Sequence, residues 1–424
     1  MGALFYDARE TSPVDERERD LFARLPGFVH AACERAPAVA RQLQGIDPAG
    51  LVDRAALARV PVLRKSELLQ IQHAARIARE GATLDAERLR VFGGFATVGW
   101  GAARRVYASP GPIYEPEGTR PDYWGFARAL HAVGVRPGML VHNCFSYHFT
   151  PAGGMMESAA HALGCTVFPG GVGQTEQQVR AMADLAPHAY TGTPSFLRII
   201  LEKADEMGVA LPSLQRALFS GEAYPPSLQA WFKDRGIQGF QAYGSADLGM
   251  VAFETSAREG LVVNEDLILE IVRPGTGRPV PEGEIGELVV TTLNADYPLL
   301  RFGTGDLSAL MPGASPCGRT NLRIRGWLGR ADQTTKVRGM FVHPEQIAHV
   351  LERHAEIGRA RLVVSGETGH DVMTLQVEAD AALDTEAVAA TVREQTKLRA
   401  VIEIVAAGSL PNDGKVIEDA RRYD

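Results

Sequence analysis

The sequence predicts an α/β protein of two domains, and three observations carry that expectation. The chain has 424 residues, more than one ordinary hydrophobic core organises. Between about residues 120 and 300, short apolar runs alternate with helical segments, the written form of parallel sheets covered by helices. From about residue 333 onward a second, shorter β/α pattern follows, sufficient for a small α+β domain.

The elements follow in chain order. Residues 15–44 and 65–81 combine helical apolar spacing with good helix formers, interrupted around Pro61. Helix is then expected at 123–133, 154–163, 176–185 and 195–207, with strands at 139–144, 166–168 and 189–191. Residues 260–310 change character. Val262-Val263 and the runs 268–272 and 287–292 are β-rich, and Pro274-Gly275-Thr276-Gly277 and Pro281-Glu282-Gly283 separate them with turns. A small β-rich subdomain, an antiparallel sheet or distorted barrel, is therefore expected inside the large domain. The tail reads as helix 344–354, strands 361–364 and 374–378, helix 385–399 and strand 402–406.

Composition bounds the function. A hydrophobic share of 45%, a charged share of 22% and a formal charge of −7 are those of a soluble globular protein without a nucleic-acid-binding balance. No apolar run of roughly eighteen residues is present, so no membrane span is expected. The opening Met1-Gly2-Ala3-Leu4-Phe5-Tyr6-Asp7 lacks a basic head and apolar run, so no signal peptide is expected. Cys33, Cys144, Cys165 and Cys317 form no CxxC pair, which fits a reducing cytoplasm and neither a disulfide framework nor a complete zinc cluster.

Four segments carry the chemistry: Gln241-Ala242-Tyr243-Gly244-Ser245-Ala246-Asp247-Leu248-Gly249; Arg301-Phe302-Gly303-Thr304-Gly305-Asp306-Leu307; Gly329-Arg330-Ala331-Asp332-Gln333-Thr334-Thr335-Lys336-Val337-Arg338-Gly339; and Leu410-Pro411-Asn412-Asp413-Gly414-Lys415. A carboxylate such as Asp306 accepts hydrogen bonds from both hydroxyls of a ribose, and Gly303 and Gly305 let the backbone approach. A turn with a solvated aspartate is the other reading of the same residues. Arg330 supplies a planar, permanently charged fork near ribose or phosphate, or else a surface ion pair.

In order and separation these segments resemble the aromatic-glycine, TGDL, GRxDxxxKxRG and C-terminal GK motifs of adenylate-forming enzymes. Thr191-Gly192-Thr193-Pro194-Ser195-Phe196-Leu197, Ser220-Gly221-Glu222, Val280-Pro281-Glu282-Gly283-Glu284-Ile285-Gly286-Glu287-Leu288 and Pro316-Cys317-Gly318-Arg319-Thr320 are similar to the phenylacetate–coenzyme A ligase branch. The resemblance covers essentially the whole chain. It implies an AMP-forming acid–thiol ligase using ATP, magnesium and coenzyme A, with domains 1–331 and 332–424. Asp332 is then the hinge of a mobile small domain. The resemblance also assigns Tyr243 as the adenine platform, with Ala242, Gly244, Ser245 and the Ser220-Gly221-Glu222 loop beside it. Asp306 and Arg330 fall on the ribose, Lys336 on the coenzyme A side and Asp247 on magnesium. Lys415 meets the reacting carboxylate and α-phosphate, where a cation offsets gathering charge. Phe145, Tyr147 and Phe149 fall near the acyl pocket, favouring an aryl or arylacetic acid, and serve equally well as core packing at a strand end. A homodimer is implied, with no nucleic acid or membrane partner.

Three departures stand out. Ala108-Ser109-Pro110-Gly111-Pro112-Ile113-Tyr114-Glu115-Pro116 occupies the place of a Ser/Thr/Gly-rich phosphate loop ending in Gly-Lys-Pro. Its prolines lack N–H donors, and Glu115 sets an acceptor-only anion where a lysine is usual. Glu115 is therefore expected to point away, to pair with Arg104 or Arg105, or to hold a metal ion. Ala246-Asp247 replaces the usual Thr-Glu. Only Cys317 remains of a cysteine cluster found in some relatives, so no structural zinc is expected. The altered loop motivates a second reading, a divergent homologue that binds a ligand or partner without adenylating.

Overall fold

The computed structural model describes residues 4–78, 90–331, 333, 335–337, 340–366 and 371–421. The chain forms two compact units. The first comprises Met1–Leu269, Val290–Phe302 and Met311–Gly326; the second comprises Glu270–Val289, Gly303–Leu310 and Trp327–Asp424.

A mixed sheet organises the first unit. Strands Thr166–Phe168, Leu140–Asn143, Ala189–Gly192, Arg216–Phe219 and Gln238–Ser245 lie side by side in that order and run parallel. Gly249–Glu254, Leu261–Val263 and Arg323–Ile324 extend the sheet antiparallel. Successive side chains of a strand point to opposite faces, and here both faces are covered. Ala189 and Leu218 pack with Val141, Met155 and Phe240 on one side. Tyr190, Ala217 and Phe219 pack with Leu197, Ile200 and Phe232 on the other. Helices Ala152–Ala162, Thr175–Leu185, Pro194–Glu206 and Pro226–Asp234 make the crossovers. The expected alternation of strand and helix is thus present, within a sheet that is mixed rather than wholly parallel.

Two expected helices change length for local reasons. The segment 15–44 divides into Val14–Arg35 and Pro37–Gln42, because Pro37 holds Ala36 extended at φ −123°. The helix expected at 123–133 is only Ala127–Ala132. Gly125 at φ +78° turns the chain first, and the Asp122 carboxylate accepts from Ala127 N at 3.1 Å. The N-terminal helices share a core of Leu25, Val29, Leu57 and Phe92 with Tyr297 and Phe302. Among the described residues no helix is long and apolar enough to cross a membrane.

In the second unit, strands Val401–Val405, Val372–Glu378, Ala360–Ser365 and Ile417–Asp419 form a sheet in that order. The central pair is antiparallel and both outer pairings are parallel. Helices Pro344–Arg353 and Thr385–Thr396 cover it through Ile347, Val350, Val388 and Val392 against Leu362 and Leu375. The edge strand Ile417–Asp419 was not among the expected elements. It fixes the turn that bears Lys415. Strands Leu267–Val272, Gly286–Thr292 and Phe302–Ser308 form the β-rich region, with Gly286–Thr292 in the middle.

Candidate active site

In an open sheet, ligands bind outside the carboxyl ends of parallel strands. Four adjacent strands of the first unit carry candidate residues at those ends. Residues 145–149 follow Leu140–Asn143, and Thr193 follows Ala189–Gly192. Ser220, Gly221 and Glu222 follow Arg216–Phe219, while Ala242, Tyr243, Gly244 and Ser245 close Gln238–Ser245. Parallel direction therefore brings the four loops to one edge. A Cβ on Gly221, at φ +81°, would lie 3.9 Å from Thr193 Cγ2, so those two loops adjoin. Tyr243 is half-buried, with a register shift between it and Gly244.

The aromatic trio divides. Phe145 is buried in the sheet's core. Tyr147 is half-buried, and its hydroxyl accepts from Asn143 Nδ2 at 2.8 Å. Phe149 is 81% exposed, and its carbonyl accepts from Ala108 N at 2.8 Å. Tyr147 and Phe149 thus stand beside the altered phosphate segment, and Phe145 packs the core.

That segment is a hairpin, Arg105–Ser109 against Ile113–Glu117, turning at Pro110-Gly111-Pro112. Of the three expectations for Glu115, the structure fits the first: the side chain turns into the interior instead of pairing with Arg105. It is fully buried and accepts from Ser109 Oγ at 2.6 Å. Arg105 reaches Glu117 and Glu157 instead, at 3.3 and 3.4 Å. Burial and the nearby Asp247 charge push the Glu115 carboxyl up to about 8, so near neutral pH it is a protonated acid rather than an anion. Asp247 is enclosed as well. Its Oδ2 accepts from Lys65 Nζ at 2.8 Å, and its Oδ1 is buried without a hydrogen-bond partner. A magnesium ligand presents its oxygens to a largely hydrated ion, and this enclosed pairing with Lys65 does not fit one. Among the described residues no group of three or more His, Cys, Asp or Glu side chains is placed to hold a metal.

The raised carboxyl has a testable consequence for stability. Below the ordinary carboxylate range Glu115 is protonated in both folded and unfolded chains. As pH rises toward about 8 the unfolded chain releases the proton and the folded one keeps it, so stability falls by up to ~1.4 kcal/mol per pH unit across that window. Glu115→Gln should match the parent in denaturant melts near pH 3.5 and exceed it by up to ~4 kcal/mol at pH 8. Equal destabilisation at both pH values would contradict the protonated assignment.

The second unit builds the site of Asp306. Its Oδ1 accepts from Arg330 Nη1 at 2.9 Å and from Trp327 Nε1 at 3.0 Å. Asp306 and Arg330 also face each other in an antiparallel bridge. Arg330 Nη1 reaches Thr304 O at 3.3 Å. Gly305, at φ +71°, leaves room for this: a Cβ there would meet Arg330 Nη2 at 2.6 Å. Thr304 Oγ1 donates to Leu288 O at 3.0 Å and accepts from Asp306 N at 3.1 Å, and Glu287 accepts from Gly305 N at 3.2 Å. The carboxylate is therefore held from several sides.

Lys415 is exposed, and among the described residues its ammonium makes no ion pair. Its backbone N–H donates to Asp413 Oδ1 at 3.0 Å, and Asp413 is paired with Arg361. Gly414, at φ +71°, packs so closely that a Cβ would lie 2.8 Å from Ile285 Cγ2 and 3.0 Å from Leu307 Cδ2. The turn thus rests against the residue following Asp306. Gln333 grips the same turn. The Lys336 backbone pairs with Phe341 in a short hairpin. The expected hinge, Asp332, lies outside the described residues.

Sequence reasoning missed Lys65, Trp327, Glu287 and Gln333. Trp327 offered one signal, three positions before an arginine already singled out; Glu287 meets Gly305 N only 18 positions on, whereas Lys65 and Gln333 reach partners 182 and 81 positions away.

Residues 125–294 match the family described as AMP-binding enzyme. Over 393 residues the chain is 33% identical to a phenylacetate–coenzyme A ligase of Thermus thermophilus, covering 88% of this chain and 84% of the relative. Over 387 residues it is 30% identical to a phenylacetate–coenzyme A ligase of Aromatoleum evansii, covering 87% and 83%. Among solved structures, an open conformation of 2-hydroxyisobutyryl-CoA ligase with 2-HIB-AMP and CoA is similar at TM-score 0.71 and 26% identity, covering 96% of this chain and 92% of that one.

Proposed function

We propose a function for a chain that belongs to the phenylacetate–coenzyme A ligase-like branch of the AMP-binding, adenylate-forming enzymes: it joins a carboxylic acid to coenzyme A. A carboxylate oxygen of the acid attacks the α-phosphorus of ATP. The bond to the β-phosphate oxygen breaks, giving an acyl-adenylate and pyrophosphate. The sulfur of coenzyme A, losing its proton, then attacks the acyl carbon and AMP leaves. Asp306 accepts the ribose hydroxyls, Arg330 orients it, Tyr243 takes the adenine and Lys415 meets the charge developing at phosphorus. The small domain 332–424, pivoting at Asp332, serves both steps, with Lys336 on the coenzyme A side. The enzyme works in the cytoplasm.

One observation carries this reading. Arg330 and Trp327 converge on a single oxygen of Asp306, at 2.9 and 3.0 Å, a degree of orientation that a merely solvated turn aspartate does not need. The acid is proposed to be aryl or arylacetic, on the names of the similar ligases and on Tyr147 at the strand ends. A short hydroxy acid competes, because Phe145 is buried in the core. The divergent, non-adenylating reading draws its support from Pro110, Pro112 and the buried Glu115.

Pyrophosphate release with ATP, magnesium and a panel of aryl, arylacetic and short 2-hydroxy acids decides among them. Acid-dependent release followed by coenzyme A consumption is the expected result. Calorimetry showing no nucleotide binding by a folded protein would instead establish the divergent homologue.

A further inference from the structure

The side chain of Gln333 spans both neighbours of Lys415. Its Nε2 donates to Gly414 O at 3.0 Å. Its Oε1 accepts from Val416 N at 2.5 Å and from Ile417 N at 2.9 Å. One neutral amide thus satisfies a carbonyl before the lysine and two N–H groups after it. A carboxylate would lose the donor, and an ammonium the acceptor. On the far side of the lysine, Leu362 N also donates to Val416 O at 2.8 Å where the edge strand begins. The other side-chain tethers act earlier on the turn, with Arg359 holding Leu410 O and Pro411 O, each at 3.2 Å, Arg361 pairing with Asp413, and Asn412 Oδ1 accepting from Ile285 N at 3.1 Å.

We infer that Gln333 is the positioning residue for Lys415, locking the lysine turn to the chain directly after Asp332. This rests on the proposed role of Lys415 at the reacting centre. Gln333 touches neither nucleotide nor acid; it acts through the backbone that aims the ammonium. Because Gln333 is the next residue after the proposed pivot, a rotation there carries Gln333, the hairpin and the lysine turn as one body. Adenylation needs the lysine aimed; thioester formation from a finished adenylate does not. A purely structural glutamine would slow both steps alike.

The test uses the full chain in five forms: parent, Gln333→Ala, Gln333→Glu, Lys415→Ala and the double variant Gln333→Ala/Lys415→Ala. Acid-dependent pyrophosphate release reads the first half-reaction. Thioester formation from supplied acyl-adenylate reads the second. Gln333→Ala is expected to lower kcat of the first about 10–100-fold, the effect of a misplacement of order 1 Å, with KM for ATP and acid nearly unchanged. The second half-reaction should stay within about 2-fold, and Gln333→Ala should add less than about 2-fold to Lys415→Ala, since residues acting as a unit are not additive. Gln333→Glu, keeping the acceptor and losing the donor, falls between. If alanine abolishes the thermal transition, the near-isosteric Gln333→Met carries the same comparison. Full release by Lys415→Ala would remove the lysine assignment itself. An impaired Lys415→Ala beside an unimpaired Gln333→Ala would overturn the positioning role. Equal slowing of both half-reactions, or multiplicative effects in the double variant, would overturn it too.

Discussion

Lys415→Ala is expected to lower acid-dependent pyrophosphate release by about 10²–10³-fold, the scale on which a single preorganised charge-stabilising group acts at a transition state. The expectation depends on how little else the side chain does. Lys415 is exposed, and no ion pair joins its ammonium to the described residues. The turn keeps its shape through Gly414, the Asp413 carboxylate and the Gln333 amide, all of which survive truncation at Cβ. The thermal transition should therefore stay where it is, within the roughly 0.5 kcal/mol typical of surface changes. Lys415→Arg keeps the charge on a broader head that cannot occupy the same point, so partial activity is expected. Pyrophosphate release measured beside a melting curve separates chemistry from folding. Unchanged release would exclude Lys415 from the reacting centre.

The residues legible in the sequence were those whose partners lie in the same motif or a neighbouring one. Asp306 and Arg330 are 24 positions apart and both belong to recognised segments. Tyr243 and Ser220 were picked out by motif resemblance alone; the strands that carry them, Gln238–Ser245 and Arg216–Phe219, were not among the expected elements. Gln333 and its partner Gly414 both stand in recognised segments, yet nothing in either marks the amide as the link between them; Lys65 was not legible because Asp247 lies 182 positions away. Glu115 is the more instructive failure. Sequence reasoning treated it as an anion that must point away, pair with Arg104 or Arg105, or hold a metal ion, and did not consider that it is protonated. Alternation in the hairpin, with Tyr107 opposite Glu115, turns the carboxyl inward, where burial beside Asp247 makes protonation the cheaper outcome. The cation that pairs with Asp247 beside it is Lys65, at the start of helix Lys65–Ile77, outside the loop where a lysine was sought. Phe145 shows the same limit: one residue past Cys144, it belongs to the sheet's core, whereas Phe149 at φ +60° projects to solvent.

Asp306→Ala should raise KM for ATP by about 10²-fold or more, since hydrogen bonds to a charged acceptor are worth roughly 1.5–3 kcal/mol each and a ribose offers two hydroxyls. Stability should change little. Arg330 is 54% exposed as it pairs with Asp306, so on losing the carboxylate it is solvated, a loss of about 0–1 kcal/mol for a pair of this kind. The antiparallel bridge between Asp306 and Arg330 is made by backbone and persists. Asp306→Asn is the sharper variant. Its amide has one oxygen, which Arg330 and Trp327 both claim, leaving the NH₂ toward the hydroxyls. Donor then meets groups that need an acceptor for both protons, so asparagine should recover only part of the affinity despite its shape. Trp327 supplies an independent reading: once the carboxylate is gone its indole N–H turns to water, and the protein's tryptophan emission should respond less to ATP than in the parent. An Asp306→Ala protein with parental KM for ATP and a parental fluorescence response would dissociate this carboxylate from the ribose, whatever the enzyme's activity.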